Sequence, residues 1–271
     1  MRNRWFIALA AIGLHISIGS VYAWSVLTRP IMADMGFTLS QTTWTFSLAI
    51  LMLGLSAGFL GSFAEKIGPK KSGLLAMLFW VTGLFGTAYA LNIHNLTLLY
   101  LFYGIIGGIG LGIGYITPVS TLVKYFPNRP GFATGLAIMG FGFASLIAGP
   151  LMQYLVAQVG LIDNFIILGL IYLVVMGASS LYLKAPQPKQ PTRTTKDKST
   201  MYVHNHGMLA NDAMKTWQFG ALWWVFFINI TCGIGLLSLA SPMAQETIGM
   251  TPVAAASLVG IIGIFNGGGR I

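Results

Sequence analysis

Two side chains able to carry charge stand inside long apolar runs of this 271-residue sequence: His15 and Arg270. An ionisable group in hydrocarbon is costly, so each is a functional candidate by default. Arg270 keeps its charge and offers a planar fork that matches a carboxylate bidentately. The alternative for Arg270 is a place near a membrane end, with the guanidinium snorkelling to the surface. Asn266 lies four residues earlier, on the same face if the segment is helical. His15 reads first as a polar residue satisfied between helices, and second as a group that takes part directly in function.

The elements that must hold these residues are membrane helices. Apolar residues make up 55% of the chain and charged residues 8%, against about 25% charged in a soluble domain. A bilayer core about 30 Å thick needs about 20 apolar residues per helix. Eight stretches meet or nearly meet that length: Trp5–Leu27, Thr42–Ala64, Ser72–Leu91, Leu96–Pro118, Gly131–Val159, Phe165–Leu183, Phe219–Pro242 and one beginning near Val253. The first is too long for the core of a cleavable signal peptide. Arg270 then falls within the last span. The fold class expected is all-α, a polytopic helical bundle.

The net charge of +9 could suggest a nucleic-acid partner. Its distribution argues for the lipid bilayer instead. With the N-terminus inside, Arg2, Arg4, Lys66, Lys70, Lys71, Lys124, Arg129, Lys184, Lys189, Arg193, Lys196, Lys198 and Lys215 all fall on one side. Arg29 alone falls on the other, which fixes a cytoplasmic N-terminus by the positive-inside rule. Residues 184–218 form a polar, proline-bearing linker, between a six-helix portion (1–183) and a second membrane portion (219–271). His204 and His206 in that linker lack the further ligands a metal site needs. Cys232 has no cysteine to pair with and reads as a small buried hydrophobe. A membrane protease or hydrolase would need paired acids, a Ser–His pair or a metal cluster; the spans contain none, and no enzyme is expected. No cofactor is expected either. The fourth span carries Gly104, Gly108 and Gly112, then Gly110 and Gly114, without the strand a dinucleotide motif requires. These glycines, with Gly131, Gly135 and Gly149, read as close-packing faces.

The turn after the second span is Gly61, then Glu65 and Lys66, then Gly68, then Lys70 and Lys71. This spacing resembles the signature loop of the major facilitator superfamily, in which the acid clamps the inner gate against a neighbouring helix end. Gly68 would allow the tight reversal, and the lysines would face an anionic leaflet. Four further passages are similar to the oxalate–formate antiporter family, relatives of the monocarboxylate transporters. They are Gly19-Ser20-Val21-Tyr22-Ala23-Trp24-Ser25, the loop from Lys124 to Gly135, Met214-Lys215-Thr216-Trp217-Gln218-Phe219, and Phe265-Asn266-Gly267-Gly268-Gly269-Arg270.

The resemblance implies twelve spans in two halves of six with the substrate between them, so the chain is expected to hold the first half and the start of the second. It aligns Arg270 with a substrate-holding arginine and Tyr22 and Tyr115 with aromatics of the central cavity; Trp44 would be a third wall. In proton-coupled relatives an acid occupies the position of Asn266, so its neutrality favours anion exchange. The implied function is secondary transport of a small organic anion (oxalate, formate, lactate or pyruvate) across a plasma membrane, with a bacterial inner membrane expected. No protein partner is required by that reading. The alternatives are a proton-coupled symporter, with His15 as relay, and a truncated membrane protein that does not transport; the 271 residues alone are expected not to. For topology, Ser199→Cys and Asn95→Cys variants should react oppositely with an impermeant thiol reagent. Labelling of the Ser199→Cys variant in intact cells would overturn the orientation.

Overall fold

The computed structural model describes residues 3–186 and 210–270, and every regular element among them is helical. The linker positions Lys189, Arg193, Lys196, Lys198, Ser199, His204 and His206 lie outside the described residues, as does Arg2. Seven helices are long and apolar enough to cross a membrane: α1 Arg4–Met35, α2 Leu39–Ile67, α3 Pro69–Asn92, α4 Leu96–Tyr125, α5 Pro130–Val159, α6 Leu161–Tyr182 and α7 Trp217–Thr247. An eighth, α8 Pro252–Gly268, is apolar but shorter. The chain divides into two compact units, one of Met1–Pro186 with Leu237–Ile271 and one of Gln187–Leu236. In the second, Trp223 stacks on Phe227 at 5.0 Å.

Local signals explain the helix ends. Thr38 and Gln41 form a reciprocal capping box that starts α2. Proline opens α3, α5 and α8, where its missing N–H costs nothing. Gly36, at φ 69°, ends α1 in the left-handed conformation. The first span therefore runs on past Leu27, and Arg29 and Pro30 sit inside the helix rather than in a loop. The fourth span likewise continues through Pro118 to Tyr125, and beside the proline the Thr117 and Thr121 hydroxyls donate to the Ile113 and Thr117 carbonyls one turn back. The last helix runs Pro252–Gly268, and Arg270 lies in the turn that follows, its backbone N–H bonded to the Gly267 carbonyl.

The first unit is built on glycine contacts. Two stripes on α4 meet two different neighbours. Gly104 and Gly108 lie against Leu48, Ala49 and Met52 of α2, with the two helices running parallel. Gly107 and Gly110 lie against Trp80 and Ala76 of α3, and Gly114 against Ile18 of α1. Helix α3 runs antiparallel to α6, with Gly73 at Ser180 and Gly169 at Phe85. Helix α5 packs on α1 through Gly140 at Ile12, and antiparallel on α8 through Gly149 at Ala256. Between Tyr100 and Gly107, α4 is wound as a π-helix.

Two expectations need correction. Gly131 meets nothing within 4 Å, because it sits in the first turn of α5 beyond the packed region. Cys232 is exposed, not buried. In a membrane helix an apolar side chain has no need to turn inward, since lipid tails are as apolar as a core.

Gly110→Ala should destabilise the protein, since the added Cβ would stand 2.6 Å from the Trp80 backbone nitrogen. Overpacking of this kind costs about 1–3 kcal/mol. Gly54→Ala, with nothing within 4 Å, should be neutral or gain about 0.5–1 kcal/mol from the lost glycine entropy. Thermal unfolding of the two variants in one detergent separates these outcomes; equal melting temperatures would contradict the packing account.

Candidate functional site

The first helix is pinched to a 3₁₀ turn at Ser20–Ala23, which carries Tyr22 inward. Its ring sits edge-on to Phe141 of α5, with centroids 4.8 Å apart. Tyr115 of α4 meets the same Phe141 edge-on at 5.5 Å, and His15 meets it at 6.0 Å. Phe141 is therefore the hub on which three of the candidate side chains rest, and nothing in its sequence setting distinguishes it from other phenylalanines.

Arg270 closes this group. Its guanidinium is near enough to Tyr22 and Tyr115 to act on both electrostatically. One edge is held by Asn266: Nε donates to the Asn266 carbonyl at 3.0 Å and to Oδ1 at 3.2 Å, and Nη2 donates to Oδ1 at 2.9 Å. The four-residue spacing seen in sequence thus becomes a direct clamp. Next to it α8 crosses α5 at Gly142 and Gly267, where a Cβ on Gly142 would stand 2.6 Å from the Gly267 Cα.

His15 is fully buried. Its Nδ1 is paired with the Ala137 carbonyl of α5 and its Nε2, at 3.1 Å, with the Tyr115 carbonyl of α4. Arg270 is near enough to act on it electrostatically. Trp44 is placed differently. It is 57% exposed and lines a separate shallow hollow with Thr43, Ser47 and Leu239. The structure brings together Arg270, Asn266, Tyr22, Tyr115 and His15, and leaves Trp44 out of that group.

The signature-loop residues lie at the end of α2 and the start of α3. Gly68, at φ 82°, makes the reversal between the helices. Glu65 accepts a hydrogen bond from Lys124 at the end of α4, at 3.1 Å, with both side chains half exposed. Lys124 was not among the residues singled out for gating; its only sequence signal is its place in the loop after the fourth span. Gly61 approaches Ile116 on α4, while Lys66, Lys70 and Lys71 are exposed. At the opposite ends of the helices, Arg29 of α1 donates to Gln245 at 3.1 Å and lies 3.9 Å from Glu246, both on α7. Among the described residues no group of three or more His, Cys, Asp or Glu could hold a metal ion.

The Major Facilitator Superfamily profile matches residues 6–271. The chain belongs to that superfamily. It is 31% identical to the MFS-type transporter YhjX of Escherichia coli over 272 residues, covering 100% of this chain and 65% of that protein. It is 26% identical to the oxalate:formate antiporter of Oxalobacter formigenes over 270 residues, covering 99% of this chain and 62% of that one. The chain therefore spans somewhat less than two thirds of the length of either relative. Among solved structures, a D-xylose-proton symporter superposes with a TM-score of 0.62 at 15% identity, covering 97% of this chain and 66% of that one. That likeness concerns the fold alone.

Proposed function

We propose that this major facilitator chain carries the anion-handling centre of a secondary transporter for small carboxylates. The substrates in view are oxalate, formate, or a monocarboxylate such as pyruvate or lactate, moved by alternating access between two membrane halves. The observation that carries the reading is the Arg270 guanidinium, held along one edge by Asn266 and close to Tyr22 and Tyr115, which rest on Phe141. A carboxylate there would accept from the guanidinium fork and from phenol O–H groups, against the ring of Phe141. Similarity to an antiporter named for oxalate and formate supports the same substrate class.

Exchange follows from charge. Asn266 is neutral, so nothing on α8 cancels Arg270. The described acids stand at helix ends or outside the spans: Asp34, Glu65, Asp163, Asp212 and Glu246. A site with one unbalanced positive charge turns over more readily with an anion aboard than empty, and obligatory exchange results. On this reading Glu65–Lys124 belongs to the inner gate, together with Gly61, Lys66, Gly68, Lys70 and Lys71.

In the whole protein, Arg270→Gln should abolish counter-substrate-stimulated uptake of labelled oxalate, formate and pyruvate in proteoliposomes, with the folded amount unchanged. Arg270→Lys should rescue only partly, because an ammonium lacks the fork. Tyr22→Phe should weaken substrate binding by about tenfold, the order expected for losing a hydrogen bond to a charged group. Normal exchange by the Gln variant would refute the assignment.

One observation favours a second reading, symport with a proton. Both ring nitrogens of His15 face carbonyl oxygens, and a neutral imidazole can donate from only one. The imidazolium would satisfy both, and an anion on Arg270 would offset the repulsion between the two cations. Under symport, an inward proton gradient should accelerate pyruvate uptake and His15→Gln should remove that acceleration. Under exchange alone, the gradient should change nothing in either protein.

A further inference from the structure

At the junction of α3 and α6, beside the proposed inner gate and apart from the Arg270 centre, lies a hollow of about 380 Å³. Three lysines line it: Lys70 and Lys71 from the first turn of α3, and Lys184 just beyond the end of α6. The other wall is apolar, with Ile67, Leu181 and Leu183. Its frame is well fixed. Gly68 turns the chain into α3, and the Tyr125 hydroxyl donates to the Lys184 carbonyl at 2.9 Å, tying the end of α6 to that of α4.

Its charge is unbalanced. Glu65 is the acid nearest in sequence, and its ion pair is with Lys124. Among the described residues no carboxylate is within ion-pair distance of Lys70, Lys71 or Lys184. Three clustered cations with no counter-charge among the described residues favour an anion. The first turn of α3 adds peptide N–H groups that no side chain caps.

The surroundings identify the kind of anion. The hollow sits where two membrane-length helices end, which is the depth of lipid headgroups. From its rim an apolar strip runs along one face of α6, with Leu181, Val174 and Leu170 all exposed. A free phosphate would meet the lysines alone. A lipid would meet the lysines with its headgroup and the strip with an acyl chain.

We infer that the hollow formed by Lys70, Lys71 and Lys184 is a binding site for the phosphate of one anionic phospholipid, whose acyl chain lies along Leu181, Val174 and Leu170. Basic pockets between helices on the positively charged membrane face hold such headgroups elsewhere, and each lysine near the surface contributes about fivefold in affinity.

The test is native mass spectrometry of the intact chain in micelles carrying equal phosphatidylglycerol and phosphatidylcholine. Wild type should retain phosphatidylglycerol in preference, and Lys184→Gln should lower its retention about fivefold. The variant with Gln at all three positions should lower it at least about tenfold, and the variant with Arg at all three should keep it, showing that charge rather than folding is responsible. Equal retention of both lipids by wild type, or unchanged preference in the Lys184→Gln variant, would overturn the site. Displacement of the lipid by millimolar inorganic phosphate would overturn the lipid assignment in favour of a soluble anion.

Discussion

The geometry of the candidate site depends on a contact only glycine permits. Where α5 crosses α8, Gly142 and Gly267 bring two backbones together closely enough that a Cβ on Gly142 would be 2.6 Å from the opposite Cα. The Ser145 hydroxyl donates to the Val259 carbonyl at 3.4 Å further along the same crossing. In lipid there is no hydrophobic gain from bringing apolar helices together, so close packing and such hydrogen bonds must supply the attraction. With a larger residue at either position α8 would stand off, and Arg270 would no longer reach two tyrosines on α1 and α4. A second glycine contact sets the other side: a Cβ on Gly19 would lie 2.5 Å from the Phe141 carbonyl, which brings the 3₁₀ turn and Tyr22 against that ring.

The same solvent governs the polar residues inside the bundle. Hydroxyls that would bond water in a soluble core turn back to their own helix: Ser17 to Gly13, Thr87 to Gly83, Thr117 to Ile113, Thr121 to Thr117. Others join neighbours, as Ser72 of α3 does with Thr117 of α4. His15 has no local option of that kind. It bridges α4 and α5 through their carbonyls, and so becomes a structural tie as well as a candidate for proton transfer.

Much of this was legible in the sequence because hydropathy, charge and turn residues act locally. Spans two, three, five and six agree within a few residues, since Lys and Arg mark one face and Gly or Pro mark most reversals. The differences have a common source. Pro118 and Arg29 look like boundaries, yet the helices run through them. Arg270 with Asn266 was readable from a four-residue spacing. Phe141 was not, because a hub is defined by what two other helices bring to it. Trp44 matched an aromatic pattern, but which face of α2 turns toward the site is a tertiary fact that the pattern does not contain.

The strengths of the contacts are graded in a way that suits a moving protein. The glycine crossings are close. The ion pairs at the two ends, Glu65 with Lys124 and Arg29 with Glu246, have side chains about half exposed. Exposed pairs are worth about 0–1 kcal/mol, little enough to be made and broken thermally at every turnover. On the proposed alternating-access reading, that combination leaves a barrier at each end low enough to open. The unbalanced charge of Arg270, costly to move without a counter-anion, would then tie the opening of either end to an occupied site.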